Sequence, residues 1–280
     1  MCYKMNNRIR TLLLIIIVSF KAQSATIKMV IHEDPSIGAG TIWSWASFDN
    51  HFDKCLVDTG ARISFVKRRN YPNYPALETG EQGVISGTPI QYDLIEIQKI
   101  QSDDFISTNH IVRAVKTNVP FNCLLGNDLF LEHSLRFDFS QNTITTDAII
   151  SKNSFPLIQY ENKWIGFPVQ INDIEYETFW DTGAGITLVD PEVIKQSPNN
   201  YTYVKDIPFN DPSGNHGSAP VYKMKSLKFG NYEITDTNVV SYSTAQIQKE
   251  VPEIKIVIGF NIIRQFNWII DNKNMRWAIE

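Results

Sequence analysis

One tetrapeptide occurs twice in the sequence, and this repeat restricts the fold more than any other feature. The segment Asp58–Ala61 reads Asp-Thr-Gly-Ala, and the segment Asp181–Ala184 reads the same, 123 residues later. Two apolar residues precede each copy, and a hydroxyl residue, Ser64 or Thr187, follows each Asp by six positions. The match extends beyond four letters, so we expect the chain to contain two related units.

A second landmark follows each tetrapeptide in the same order. Two apolar residues and a glycine end at Gly126 and at Gly259, which stand 68 and 78 residues after the respective Asp. Each half then closes with residues typical of a strand, a turn and a strand, at Phe137–Ile144 and at Trp268–Trp277. This ordered repetition predicts two related, mostly β lobes that are joined within residues 145–164.

Turn-forming residues flanked by β-formers stand between these landmarks in each half. They occupy Ser86–Tyr92 in the first half and Ser213–Tyr222 in the second. Gly, Ser, Pro and Asn in such places predict the tip of a β-hairpin, and the second tip is the longer one.

Short alternating segments before each Asp predict two strands joined by a turn, at Asp49–Asn50 and at Asn172–Asp173. Asp58 and Asp181 therefore end buried strands, where an unpaired carboxylate is costly. The simplest alternative is that each Asp stabilises only its own turn. The matched context in both halves favours two carboxyl groups that face each other across a common axis.

Two adjacent carboxyl groups do not both ionise easily, because each negative charge raises the proton affinity of the other. They share one proton and titrate as a pair. The ionised member can take a proton from a water molecule, and the protonated member can donate a hydrogen bond to a carbonyl oxygen under attack. Hydrolysis by such a pair needs no serine, cysteine or metal.

The length and composition place the chain among globular proteins. It has 280 residues, of which 43% are hydrophobic and 20% charged, and this is enough chain for two ordinary cores. Four basic residues and no acidic residue lie within positions 1–24, and without them 22 basic residues stand against 30 acidic ones. This balance argues against a nucleic-acid partner.

Residues 1–24 have the order of a secretory signal peptide. Basic residues come first, the apolar run Leu12–Val18 follows, and small residues surround a predicted cleavage after Ser24. The run is too short to span a bilayer, so we expect export to the periplasm or outside the cell, without stable membrane insertion after the signal is removed. The alternative is an uncleaved anchor.

Three cysteines are present, and Cys2 belongs to the predicted signal peptide. Cys55 and Cys123 remain, so an exported chain can form one disulfide bond between them. Two small buried thiols are the alternative. The cysteines and the five histidines show no zinc-binding spacing, and no metal site is expected.

The two Asp-Thr-Gly-Ala segments, each followed by an apolar-apolar-Gly segment, resemble the aspartic peptidases from about Trp43 to the C-terminus. Ala61 and Ala184, and the short distance from each Asp to its second Gly, are similar to the retroviral-type (retropepsin) branch. Two lobes in one chain are similar to pepsin. The resemblance implies a mostly β fold of two pseudo-symmetric acid-protease (retropepsin-like) β-barrel lobes, residues 25–152 and 153–280, with a cleft between them.

The resemblance also implies roles for the residues at the centre of the molecule. Asp58 and Asp181 would be the catalytic pair. Thr59 and Thr182 would exchange hydrogen bonds across the lobe interface beneath that pair.

Gly60 and Gly183 would hold the two turns and expose their carbonyl groups to substrate. The hairpin tips would be flaps that close over an extended polypeptide and exclude water. The candidate substrate-binding residues of these flaps are Ser86, Gly87, Thr88, Ser213, Gly214 and Asn215. The family fold runs the strands of Cys55 and Cys123 side by side, which implies that the two are in contact. The resemblance implies a monomer without a cofactor.

The chain departs from the retropepsin pattern at two positions in each half. Retropepsins usually carry an acid directly after Ala, where this chain has Arg62 and Gly185. They usually carry Arg after the second Gly, where this chain has Asn127 and Phe260. In retropepsins these residues help to hold the dimer and the substrate backbone.

The sequence leaves three functions open. The first is an exported aspartic endopeptidase that hydrolyses peptide bonds. The second is a non-catalytic peptide-binding protein with a retained protease-like cleft, which the intact pair of motifs disfavours because a binder needs no shared proton. The third is a structural β protein whose Asp residues serve their own turns, which the repeated order of landmarks disfavours.

Overall fold

A computed structural model describes residues 24–83, 89–210 and 216–280, and this part of the chain is mostly β. The strands of the first half are β1 (Thr26–Lys28), β2 (Val30–Asp34), β3 (Ala39–Phe48), β4 (His51–Asp58), β5 (Phe65–Lys67), β6 (Glu78–Gln82), β7 (Ile90–Ser102), β8 (Phe105–Val115), β9 (Cys123–Gly126), β10 (Ser134–Asp138) and β11 (Thr143–Thr145). The strands of the second half are β12 (Phe155–Pro156), β13 (Ile158–Gln159), β14 (Ile165–Gly166), β15 (Val169–Ile171), β16 (Ile174–Trp180), β17 (Leu188–Val189), β18 (Tyr201–Asn210), β19 (His216–Phe229), β20 (Tyr232–Ser241), β21 (Ile254–Ile258), β22 (Trp268–Asp271) and β23 (Arg276–Ile279).

The helices are short. They are α1 (Pro191–Gln196), α2 (Ala245–Gln248) and α3 (Phe260–Ile263), with 3-10 turns at Arg68–Asn70, Asn127–Leu129 and Pro198–Asn200. One 3-10 turn directly follows β9, and α3 begins two residues after β21, so a short helical segment follows the Gly of each second landmark.

The hairpins that lead to each Asp are confirmed. β3 and β4 are joined at residues 49–50, and β15 and β16 are joined at residues 172–173. Asp49, Asn172 and Asp173 have positive φ angles of 51°, 49° and 67°, which Asn and Asp tolerate better than most residues. These turns set the register that brings each Asp to the far end of its strand.

Six strands of the first half form a closed barrel. The pairing runs β3-β4-β9-β5-β8-β7, and β7 pairs back onto β3 through Phe48 and Ile100. β4 and β9 run parallel, as do β5 and β8, while the other neighbours are antiparallel. Closure leaves no free edge among these six strands.

Six strands of the second half repeat this pattern of pairing. The order is β15-β16-β21-β17-β20-β19, and β19 pairs back onto β15 through Gln170 and Lys228. The parallel pairs are β16 with β21 and β17 with β20, at the places that correspond to those of the first barrel. The two rings fall on either side of the predicted boundary at residues 152 and 153.

A third sheet takes strands from both halves. Its order is β1-β11-β10-β22-β23-β12, with three strands from each half, and Leu135 on β10 pairs with Ile270 on β22. The buried Phe137 ring meets the ring of Trp180 edge-on, with centroids 5.0 Å apart. Because Trp180 directly precedes Asp181, this shared core fixes the second Asp relative to the first half.

The predicted signal peptide, residues 1–24, lies outside the described residues except for Ser24. The hydroxyl group of Ser24 donates to the Thr146 carbonyl at 2.7 Å, and β1 begins two residues later. Within the described ranges, no helix has both the length and the apolar character needed to cross a membrane.

Candidate active site

The two Asp residues lie at equivalent ends of two buried strands. Asp58 is the last residue of β4 and pairs with Gly126 on the neighbouring parallel strand. Asp181 directly follows β16, and its backbone N–H donates to the Ile258 carbonyl at 3.0 Å. Each carboxyl group is thus carried by a strand that is paired along its length, so its position is set by the barrel behind it.

The structure places the two carboxyl groups close together, each beside the turn glycine of the other half. A Cβ placed on Gly60 would lie 2.6 Å from the Asp181 carboxyl carbon, and one on Gly183 would lie 2.3 Å from that of Asp58. Real side chains do not approach this closely. Glycine is therefore required at both turns because the opposite carboxyl group occupies the space of its side chain.

Backbone donors of the two turns orient the carboxylates. The N–H of Ala61 donates to Asp58 Oδ1 at 3.0 Å, and the N–H of Gly183 donates to Asp181 Oδ1 at 2.8 Å. Such bonds stabilise an ionised carboxylate without a nearby cation. Each Asp residue as a whole remains partly exposed.

The pKa of each carboxyl group is raised. Burial raises the pKa of Asp58 well above its ordinary value, and the charge of Asp181 raises it further. Burial also raises the pKa of Asp181, while the hydrogen bond from the Gly183 backbone works in the opposite direction. The two carboxyl groups titrate as a pair.

Thr59 and Thr182 lie buried beneath the two Asp residues and bond across the halves. The backbone N–H of each donates to the hydroxyl oxygen of the other at 3.0 Å. The Thr59 hydroxyl donates to the Trp180 carbonyl at 3.2 Å, and the Thr182 hydroxyl donates to the Val57 carbonyl at 2.9 Å. This closed set of bonds ties the two turns to each other directly under the carboxyl pair.

Behind each turn is a polar pair that includes one residue the sequence reading missed. Ser64, through its hydroxyl and its N–H, donates to Asp128 Oδ1 at 2.8 Å, and Thr187 N–H donates to Asn261 Oδ1 at 2.7 Å. The Ser64 and Thr187 hydroxyls accept the N–H groups of Gly126 and Gly259, respectively.

Asp128 and Asn261 hold equivalent positions, two residues after the second Gly. In the sequence, the signal that could have identified these two residues is a polar side chain repeated at this place in both halves. Burial raises the pKa of Asp128, and its Oδ2 is buried with no partner among the described residues.

Cys55 and Cys123 form a disulfide bond, with their Cα atoms 4.6 Å apart. Each precedes its landmark residue by three positions on the parallel strands β4 and β9. Of the two alternatives that the sequence left open, the structure has the bridge, which links the strand of Asp58 to its neighbour.

The carbonyl of Gly60 differs from the expectation drawn from the resemblance. It accepts a hydrogen bond from Trp164 Nε1 at 2.8 Å, so the carbonyl is occupied by the protein's own indole. Sequence reasoning did not identify Trp164, because nothing in the first half repeats it at a recognisable spacing. Arg62, which stands where retropepsins have an acid, forms a salt bridge with Glu250 of the second half at 3.1 Å.

Each predicted hairpin lies in the sequence between the Asp and the second Gly of its half. β6 pairs with β7, and β18 pairs with β19, each through an antiparallel ladder. The flap residues proposed from the sequence, Ser86, Gly87, Thr88, Ser213, Gly214 and Asn215, lie outside the described residues. Tyr92 and Tyr222 are strand residues, in β7 and β19 respectively.

No protein-family model matches the chain, and a comparison with curated proteins found no match. In the described part of the chain, no group of three or more His, Cys, Asp and Glu side chains is arranged to hold a metal ion. The geometry around Asp58 and Asp181 provides two neighbouring carboxyl groups and backbone donors that stabilise their charged form.

Proposed function

We propose that the protein is an aspartic endopeptidase that hydrolyses peptide bonds with a water molecule activated by Asp58 and Asp181. The observation that carries this proposal is the close approach of two carboxyl groups, each on an Asp-Thr-Gly turn of its own half and each beside the turn glycine of the other half. A structural Asp serves its own turn, whereas here each turn glycine is needed to admit the carboxyl group of the other turn. The arrangement is suited to sharing a proton.

In this mechanism the charged carboxylate acts as general base and the protonated carboxyl group as general acid. The charged member of the pair removes a proton from the water as the water oxygen attacks the scissile carbonyl carbon, and the protonated member gives its proton to the carbonyl oxygen. The tetrahedral intermediate then collapses. The carboxyl group that gained a proton passes it to the leaving nitrogen, and the other carboxylate recovers one from the intermediate. The pair returns to its starting state with one shared proton.

The strand pairings support the finer proposal of two pseudo-symmetric acid-protease lobes, residues 25–152 and 153–280, with a cleft between them. Both rings have the same order and the same parallel and antiparallel neighbours. An extended polypeptide would cross the carboxyl pair, bound mainly through its main chain and covered by the two hairpins. The protein would act as a monomer without a cofactor.

We also propose that residues 1–24 direct export and are removed. The order of basic, apolar and small residues supports this, as does the Cys55–Cys123 disulfide, because such bonds persist mainly in oxidising compartments. N-terminal sequencing of the exported protein should begin at Ala25. A mature chain that begins at Met1 would contradict the proposal.

The activity is tested with an unfolded protein substrate over acid to neutral pH. Asp58→Asn and Asp181→Asn should each lower turnover by about 10²- to 10⁴-fold or more, because either change removes the shared proton. Asp173→Asn is the matched control, because it makes the same chemical change at an exposed turn residue that directly precedes β16. This variant should leave turnover unchanged. Retained turnover in both dyad variants would reject the mechanism. A folded wild type that binds peptides without cleaving them would favour a non-catalytic peptide-binding protein.

A further inference from the structure

The loop between β13 and β14 belongs to the second half but is attached to the turn of the first. The loop is closed on itself by bonds between the backbones of Tyr160 and Trp164 and of Lys163 and Tyr160, each at 2.9 Å. Asn127, which follows Gly126 behind the first turn, donates from Nδ2 to the Lys163 carbonyl at 2.9 Å. This contact and the bond from Trp164 to Gly60 seat the loop on the Asp58 turn.

The indole of Trp164 is held on several sides. Its ring stacks on Phe179 with centroids 4.5 Å apart, and the Arg62 guanidinium lies 5.8 Å from its centroid. Asn162 links the loop to the salt bridge between Arg62 and Glu250. Its Nδ2 donates to Glu250 at 3.1 Å, and its Oδ1 accepts the backbone N–H of Trp164. The orientation of the indole N–H toward the first turn is therefore fixed by its surroundings.

The bond that Trp164 makes lies one peptide group from the carboxyl pair. The N–H of the peptide group between Gly60 and Ala61 donates to Asp58. Because that group is trans, its carbonyl oxygen points the opposite way, away from Asp58 and toward the partly buried indole of Trp164. The Gly60 carbonyl, the first backbone acceptor beside the Asp58 carboxyl group, is therefore already hydrogen-bonded to Trp164.

The second turn lacks this arrangement. Among the described residues, no N–H or hydroxyl group donates to the Gly183 carbonyl. Two residues further on, the Gly185 carbonyl accepts the N–H of Gly40 in the first half at 2.8 Å. The two turns are equivalent in their strands and their Asp and Thr residues, but not in the availability of their glycine carbonyls.

We propose that Trp164 is a specificity-determining residue that makes substrate recognition one-sided. Its indole N–H holds the Gly60 carbonyl, which leaves the Gly183 carbonyl as the turn acceptor open to the main chain of a bound peptide. A peptide gains main-chain hydrogen bonds as it lengthens past Gly183, but gains none at Gly60. This inference rests on the proposed function, since it assumes that the peptide lies across the Asp58 and Asp181 pair.

The test uses a peptide that the wild type cleaves, shortened one residue at a time from either end. In the wild type, kcat/KM should rise with length on one side of the scissile bond only. Trp164→Phe keeps the stacking on Phe179 and removes the N–H donor, so lengthening on the other side should then raise kcat/KM by roughly 2- to 10-fold, the ratio for one net hydrogen bond. Asn162→Ala, which loosens the loop without touching the indole, should produce a smaller change in the same direction.

Trp45→Phe is the control, because Trp45 is half exposed on β3 and stacks on Phe52. It should leave the length dependence as in the wild type. A Trp164→Phe variant that folds as the wild type does but responds to length on one side only would overturn the proposal. An equal rise for every peptide would do the same, because it would show a general effect on the carboxyl pair.

A second measurement separates this inference from the proposed function. The same peptides are titrated against Asp58→Asn, with and without Trp164→Phe, and their dissociation constants are compared. If the wild type cleaves nothing but the length effect is present in binding, the peptidase function fails and the role of Trp164 stands. If the wild type cleaves peptides and neither measurement shows the length effect, the function stands and the role of Trp164 fails.

Discussion

Thr59 and Thr182 each accept the other residue's backbone N–H on a buried hydroxyl oxygen, at 3.0 Å in both directions. Each hydroxyl also donates to a strand carbonyl of the opposite half. The four bonds cross the junction between the halves at the level of the turns. Because all the groups are buried, loss of one hydroxyl leaves its partners without water to replace it.

We expect Thr59→Val to lower the free energy of unfolding by about 2–4 kcal/mol, because the Thr182 N–H and the Trp180 carbonyl each lose a buried partner. Thr59→Ser retains the hydroxyl and loses one methyl group, so its loss should be about 1 kcal/mol. Urea unfolding followed by tryptophan fluorescence measures both. Equal stability of the two variants would show that these hydrogen bonds do not hold the halves together.

The turn glycines give a second prediction. Gly183→Ala places a Cβ 2.3 Å from the Asp58 carboxyl carbon, so one of the two must move, and a shift of this size should lower kcat/KM by about 10²-fold or more. Peptide hydrolysis by the folded variant is the measurement. Wild-type activity in Gly183→Ala would mean that the carboxyl groups are not held in contact.

The centre of the site was predictable because its signals are local and repeated. Asp58 and Asp181 are identified by the identical tetrapeptide that each of them begins. The Asn172–Asp173 turn is predicted by residue types that favour positive φ. The position of Trp164 was not predictable in the same way. Its partner, Gly60, is 104 residues away in the sequence, and the contact depends on how a loop of one half is seated on the other.

The Cys55–Cys123 disulfide joins residues 68 positions apart and so restricts a long loop in the unfolded chain. Cys55→Ala combined with Cys123→Ala should lower the free energy of unfolding by about 2–4 kcal/mol under non-reducing conditions. Denaturant unfolding of the wild type and the double variant gives this difference. Alkylation of the unfolded but unreduced wild type should leave both residues unlabelled, and labelling of both would contradict the bridge.

The carboxyl pair predicts a pH dependence of stability with a definite sign. The pKa of Asp58 and that of Asp181 are both raised in the folded protein above the ordinary 3.8, chiefly by burial. As the pH rises above 3.8, the unfolded chain loses these protons while the folded pair retains one. The pair's contribution to stability is thus most favourable at acid pH and declines as the pH rises toward the native pKa values, by at most about 1.4 kcal/mol per pH unit for each proton.

Asp58→Asn removes one member of the pair and leaves Asp181 without a negative neighbour. The variant should therefore be more stable than the wild type at neutral pH, and its advantage should shrink as the pH falls toward 4. Urea unfolding of both proteins at intervals from pH 4 to 8 measures the difference, in which the carboxyl groups common to both proteins cancel. Asp181→Asn should show the same trend, because either change ends the repulsion. A difference that stays constant over this range, or grows as the pH falls, would mean that the two carboxyl groups do not share a proton.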